Sequence, residues 1–132
     1  EVQGIPIHSA SAAYFRKLAT PGEPWDIAFG LWTPNYIDPF AYVNLLFESR
    51  FLGTTNFTRF ASRSLDRQMR RAAGLPRGAA RDAAYAALDL RITRDVAPVA
   101  VVDVLNEATL VSRRVDCVVL RPMLDLTSVC LR

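Results

Sequence analysis

The pattern of apolar and polar positions alternates between strand-like and helix-like stretches along the chain. The first long apolar run, Trp25–Trp32, follows a turn-forming segment, which predicts a buried strand. A shorter strand is predicted over Gly4–His8, and a helix over Ala12–Leu18 that is capped by Ser9 or Ser11. This succession of strand, helix and strand is typical of an α/β fold.

Three further helices are predicted in the middle of the chain. The first begins at Asp38, whose side chain can cap it, with Pro39 in the first turn, where the missing N–H costs nothing. It runs to about Ser49, with Ala41, Val43, Leu45 and Leu46 facing inward. The other two run from Ser62 or Ser64 to Ala73 and from Ala79 to about Asp95, and their apolar stripes are Leu65, Met69 and Ala72, then Tyr85, Leu88 and Ile92.

The C-terminal third is predicted to be rich in β-structure. Ala97-Pro98 ends the last helix, and strands are expected over Val99–Val104, Thr109–Ser112, Val115–Leu120 and Leu126–Leu131.

The two cysteines lie in the last two of these runs, one in each. A hairpin that turns near Met123 would place the thiols of Cys117 and Cys130 opposite each other. Two small buried apolar side chains are the favoured interpretation, with a disulfide as the alternative. Neither their spacing nor their neighbours indicate a metal site.

Composition limits the classes of function. A chain of 132 residues, 51% hydrophobic and 22% charged, is predicted to form one ordinary globular domain. It has no run of eighteen apolar residues that could span a membrane. The net charge is +3, but the basic residues, all arginine except Lys17, are dispersed. A nucleic-acid partner is therefore not predicted, because such proteins gather their basic residues on one surface.

Motifs for catalysis are absent from the sequence. There is no Gly-x-Ser-x-Gly, no phosphate-binding glycine loop, no Cys-x-x-Cys and no His-x-x-x-His. His8 is the only histidine, and we expect it to face solvent or cap an element. Acid–base chemistry would then rest on Asp26 and Asp38, which are better explained as a turn residue and a helix cap. We predict no enzyme, no metal and no cofactor.

The segment Leu31–Tyr42 is the best candidate for a binding site. It carries tryptophan, asparagine and tyrosine from the end of a predicted strand to the start of a helix. In open α/β folds, ligands bind at the carboxyl ends of the strands. The segment therefore predicts polar and aromatic ligand contacts at a sheet edge.

Several motifs in this order resemble the extracellular solute-binding proteins of family 5, the peptide- and nickel-binding subunits of ABC importers. They are the strand Trp25–Trp32, the Asn-Tyr-x-Asp-Pro-Phe of 35–40, Asn56–Phe60, Leu65-Asp66, Arg81–Tyr85, Ala97–Val102 and Val115–Pro122. The resemblance extends over nearly the whole chain. It implies the C-terminal lobe portion of a type II periplasmic-binding-protein-like fold, with residues 1–132 as one domain of a larger two-lobed protein.

The same resemblance implies site residues. Trp32 corresponds to the tryptophan that often lies against ligand, Asp38 and Pro39 to the pair that opens the next helix, and Thr33 and Tyr36 are weaker ligand candidates. Asn35 stands where peptide-binding members carry an aspartate that pairs with the α-ammonium group of the ligand. A neutral amide makes a weaker bond to an ammonium than a carboxylate does, so the identity of the solute stays open.

The implied function is capture of a solute, by default a peptide, through closure of two lobes, followed by delivery to a membrane permease. The resemblance places the protein in the periplasm or outside the cell, anchored as a lipoprotein. The surface that would meet the other lobe is expected to promote dimerisation. Two alternatives are the ligand-sensing domain of a transcriptional regulator and a small hydrolase that uses Asp26 and Asp38.

Overall fold

The computed structural model describes residues 12–104, 106, 108–121 and 123–132. The predicted strand Gly4–His8, its histidine and the caps Ser9 and Ser11 lie outside these residues. The helices are α1 Ala12–Ala19, α2 Phe40–Phe47, a 3-10 turn Ser49–Phe51, α3 Arg63–Gly74, α4 Ala79–Leu90 and a π-helical segment Arg91–Val96. The strands are β1 Val115–Asp116, β2 Leu120–Arg121, β3 Met123–Leu124 and β4 Cys130–Leu131.

Helices α2, α3 and α4 pack around one apolar core. Its buried side chains are Val43 and Phe47 of α2, Leu65, Met69 and Ala72 of α3, and Tyr85, Leu88 and Ile92 of α4 and the π-helical segment. The two predicted stripes on α3 and α4 are thus confirmed. On α2, Ala41 and Val43 are buried as predicted, whereas Leu45 and Leu46 are only half-buried.

The helix ends follow local signals in the sequence. The side chain of Ser62 accepts a hydrogen bond from Leu65 N–H at 3.4 Å, which satisfies one free donor of the first turn of α3. Gly78, at φ 140°, precedes α4, and Ala97 ends the π-helical segment in the left-handed region at φ 47°. Pro98 cannot continue a helix, so the helical region ends at this point, while Val99 still packs against the core.

The prediction of a buried strand over Trp25–Trp32 is wrong for the described structure. The segment is extended but belongs to no ladder, and Ile27 and Phe29 are 92% and 70% exposed. The predicted strands Val99–Val104 and Thr109–Ser112 also lack a ladder. A strand needs a neighbour that pairs with its backbone groups, and no described residue pairs with these three segments.

Strands β1 to β4 form two short antiparallel ladders, and we call these four strands the C-terminal arm. β1 pairs with β4, with Asp116 opposite Cys130, and β2 pairs with β3 inside them. Cys117 and Cys130 form a disulfide across this arm, with Cα atoms 5.4 Å apart. The favoured prediction of two unbonded thiols is therefore wrong, because the hairpin register brings the two side chains within bonding distance.

No helix in the described part of the chain is long and apolar enough to cross a membrane.

Candidate functional site

A cavity of about 610 Å³ opens beside the extended segment Trp25–Trp32. We call it the aromatic groove. Its walls come from α1, from that segment, from the loop after the 3-10 turn and from the residues that follow Ala97. The side chains used below are Phe15, Trp25, Asp26, Phe29, Trp32 and Phe57. A largely apolar cavity of this size with a few polar groups is the usual form of a small-ligand site.

Ring contacts hold one wall of the aromatic groove in place. The rings of Phe15 and Phe57 lie 5.4 Å apart between centroids, which joins α1 to the loop. The guanidinium of Arg59 lies 4.5 Å above the Trp25 ring. Arg59 also donates hydrogen bonds to the carbonyl oxygens of Thr20 at 2.7 Å and Glu23 at 3.3 Å. Loop, turn and tryptophan are therefore fixed together.

The two tryptophans of the groove differ in their hydrogen bonding. Trp32 Nε1 donates to the carbonyl oxygen of Ala41 at 2.7 Å, so its indole is fixed against α2. Trp25 Nε1 is buried and has no hydrogen-bond acceptor among the described residues. A buried donor without an acceptor is costly, and a ligand carbonyl could supply one. The sequence analysis assigned Trp25 only to a strand and missed this role.

The predicted ligand residues do not gather at one place. Trp32 lines the aromatic groove, whereas Thr33, Asn35 and Tyr36 are exposed and do not line it. Pro34, between them, is buried. The segment therefore turns away from the groove after Trp32, and only one of the four candidates can contact a ligand bound there.

Asp38 is held by two kinds of contact at the start of α2. Its Oδ1 accepts a hydrogen bond from Phe40 N–H at 2.9 Å, as a capping side chain does. The Arg81 guanidinium donates to Oδ1 at 2.8 Å and to Oδ2 at 3.0 Å. This bidentate bond from Arg81 holds the pKa of Asp38 below its usual range. Arg77 lies 3.9 Å away. We call this contact between Asp38 and Arg81 the Asp38 clamp. It attaches α4 to the loop that follows Trp32.

A chain of polar contacts continues from this clamp into the core. Arg81 lies 4.9 Å from the centroid of the Tyr85 ring, and Tyr85 Oη donates to Asn44 Oδ1 at 2.8 Å. Asn44 Nδ2 donates to Glu48 Oε2 at 2.9 Å. Burial raises the pKa of the Tyr85 phenol.

This series of polar contacts ends at Glu48, which lies in a cluster of charged side chains. Glu48 is fully buried and pairs with Arg50 at 3.1 Å and Arg70 at 3.2 Å, so its desolvated carboxylate has two cationic partners. The sequence analysis missed this network, although Asn44 and Glu48 four positions apart in an apolar helix were a usable signal.

The carboxylates proposed for acid–base chemistry lie apart. Asp38 is committed to Arg81 and to the α2 cap, whereas Asp26 is exposed at the aromatic groove. His8 lies outside the described residues. Among the described residues, no group of three histidine, cysteine or acidic side chains is arranged to hold a metal ion. The groove as described offers apolar walls, one indole donor and one carboxylate.

Comparison with family models, with curated proteins and with solved structures finds no match to this chain.

Proposed function

We propose that this chain is a non-catalytic solute-binding module of an ABC import system. The observation that carries the proposal is the aromatic groove. Trp32 forms one of its walls, and the buried N–H of Trp25 has no hydrogen-bond acceptor among the described residues. Apolar walls with a small number of polar groups are the usual form of a site that binds and orients a small ligand. The resemblance of the sequence motifs to family 5 points to the same function.

The groove suits a short peptide with an apolar side chain. That side chain would lie among Phe15, Phe57 and Trp32, while a peptide carbonyl would accept from Trp25 Nε1. Asp26 at the groove can pair with an α-ammonium group, the role that the family pattern gives to the position of Asn35. Peptides with a free amino terminus are therefore the proposed solutes.

We also propose that the chain forms part of one lobe of a two-lobed α/β protein, which closes on the solute and presents it to a membrane permease. In such a mechanism the solute favours closure because it binds the closed state more tightly. The Cys117–Cys130 disulfide supports a location in the periplasm or outside the cell, because disulfides persist in oxidising compartments.

Tryptophan emission combined with thermal unfolding tests the proposal. Both tryptophans of the chain line the aromatic groove, so a solute that enters it should shift their emission and raise the unfolding midpoint. We expect this for dipeptides and tripeptides with an apolar residue, but not for sugars. The variant Phe57→Ala should weaken binding, whereas Tyr42→Ala, a substitution outside the groove, should not.

The charged end of the solute is tested separately. Asp26→Asn should weaken binding of free peptides but leave their N-acetylated forms unaffected. A panel in which no peptide changes emission or midpoint would reject peptide binding, and a response to sugars alone would point to a different solute class.

A further inference from the structure

A second groove, of about 590 Å³, lies between α2 and α4. We call it the α2–α4 groove. Ile37 and Tyr42 form one side, Tyr85 and Ala86 lie in the groove, and Asp82 and Asp89 stand on the α4 side. Ile37 is 74% exposed and Tyr42 is also exposed. The groove therefore offers apolar surface that the described residues leave in contact with water.

The charged side chains that line this groove are acidic. Among the described residues, three aspartates line it, and no arginine or lysine does. Asp38 is neutralised by Arg81 and approached by Arg77, whereas Asp82 and Asp89 form no ion pair within the part of the chain that the structure describes. These two carboxylates are exposed on the same face of α4. A rise of 1.5 Å per residue places them about 10.5 Å apart along the helix.

We propose that the α2–α4 groove docks an amphipathic helix of another protein, with an apolar stripe flanked by two basic residues seven positions apart. The apolar stripe would cover Ile37, Tyr42 and Ala86. The two basic residues would pair with Asp82 and Asp89, with arginine favoured over lysine because its planar guanidinium bonds a carboxylate in bidentate fashion. This inference is independent of solute binding in the aromatic groove.

A second copy of this chain is a poorer occupant. Its most basic helix is α3, where Arg63, Arg67 and Arg71 are exposed. The apolar stripe of α3, however, is buried in its own core and could not also enter the groove of a neighbour. Helix α3 of a second copy therefore does not supply an apolar stripe with basic flanks, and the proposed occupant is a helix of a different protein.

Synthetic helical peptides test the inference on the whole chain. The probe is a fluorescein-labelled peptide with a leucine stripe and two arginines seven positions apart. A matched peptide carries glutamate at those two positions. We expect anisotropy to show tighter binding of the arginine peptide by at least about tenfold, with an affinity that falls as salt is raised. Trp25 and Trp32 lie in the other groove, so tryptophan emission should not change.

Variants of the two carboxylates make the test specific. Asp82→Asn with Asp89→Asn should weaken the arginine peptide about tenfold, whereas Asp103→Asn, at an exposed aspartate outside the groove, should have no effect. Replacing Asp82 and Asp89 by arginine should transfer the preference to the glutamate peptide, a gain that a misfolded variant could not give. Any of four results would overturn the inference. They are equal binding of both peptides, no binding of either peptide, peptide binding only when the protein itself dimerises, and a loss of affinity in Asp103→Asn equal to that in the double variant.

Discussion

The helical core and the two apolar segments Trp25–Trp32 and Val99–Val104 differ in the burial of their apolar side chains. The segments are apolar almost throughout, whereas α3 and α4 carry their apolar residues on one stripe, yet it is the helices that bury them. The apolar stripes of α3 and α4 are buried, with Met69 fully enclosed. In Trp25–Trp32 and Val99–Val104 most apolar side chains are exposed, and Val102 is 84% exposed. A helix satisfies its backbone hydrogen bonds within itself and then packs one face, whereas a strand needs a neighbour for its backbone before its side chains can pack.

The C-terminal arm shows the same dependence on a partner strand, but here the partner is present. There β1 has β4 as its partner, and both become strands although each is only two residues long. In the proposed two-lobed protein, neighbouring strands would give Trp25–Trp32 the partner that β1 already has. The exposed segments are thus the place where that proposal predicts further contacts.

A core truncation should give the largest effect on stability. Met69→Ala removes most of a fully buried side chain and leaves a cavity, which we expect to lower the free energy of unfolding by about 3–4 kcal/mol. Ile27→Ala in the exposed segment should change it by less than about 0.5 kcal/mol. Chemical denaturation of both variants measures the contrast.

The result for Ile27→Ala tests the comparison between the helical core and the exposed segment more directly than the result for Met69→Ala does. A loss above about 2 kcal/mol in Ile27→Ala would mean that this side chain is buried in solution, and the two regions would then not differ as described.

Removing the disulfide should give the next effect, confined to the C-terminal arm. The bond joins residues 13 positions apart, and a loop of this size contributes roughly 3 kcal/mol to the structure that it closes. With serine at Cys117 and Cys130, amide exchange in β1 and β4 should accelerate by about a hundredfold. Exchange at Met69 should stay unchanged, and acceleration there would show that the arm and the core unfold together.

The elements that could be predicted from the sequence are those determined by neighbours along the chain. The stripes of α3 and α4, the bond from Phe40 N–H to the Asp38 side chain and the break at Pro98 all depend on residues within one or two turns. The start of α3 was predicted only to within Ser62 or Ser64, and Ser62 is the residue whose side chain accepts from Leu65 N–H. The β1–β4 ladder, the disulfide and the ion pair between Glu48 and Arg70 join residues 13 to 22 positions apart, which a local pattern cannot specify.

The candidate site likewise contains residues that the sequence predicted and residues that it missed. Trp32 was predicted as a ligand contact from its place at the end of an apolar run and from the family resemblance, and it lines the aromatic groove. Trp25 was missed because a local pattern shows neither that its N–H is buried without an acceptor nor that Arg59, 34 positions later in the chain, lies over its ring. The direction taken by Thr33, Asn35 and Tyr36 depends likewise on the distant bond between Asp38 and Arg81.

The Asp38 clamp should contribute a smaller, pH-dependent stability. Asp38→Asn keeps an oxygen for the α2 cap but loses the charge that Arg81 faces, and we expect a loss of about 2 kcal/mol at pH 7. The pKa of Asp38 is lowered in the folded state, so its contribution is complete above the unfolded value of about 4 and disappears as the pH falls through the folded value.

Denaturation of wild type and Asp38→Asn between pH 7 and pH 2 measures this difference. The two curves should converge in acid, and curves that stay parallel would show that the charge of Asp38 does not stabilise the fold. Asp103→Asn, at an exposed aspartate, should follow the wild type throughout.

The smallest effect tests whether helical stability here is local. Ser62→Ala removes the side-chain acceptor for Leu65 N–H, and since that bond is long, at 3.4 Å, we expect a loss of only about 0.5–1 kcal/mol. Ser64→Ala, inside the first turn of α3, makes the same chemical change without removing a cap and should cost less. Equal losses in the two variants would mean that packing of Leu65 and Met69 alone positions the start of α3. A larger loss for Ser62 would show that the core, unlike the extended segments, is stabilised by signals within its own sequence.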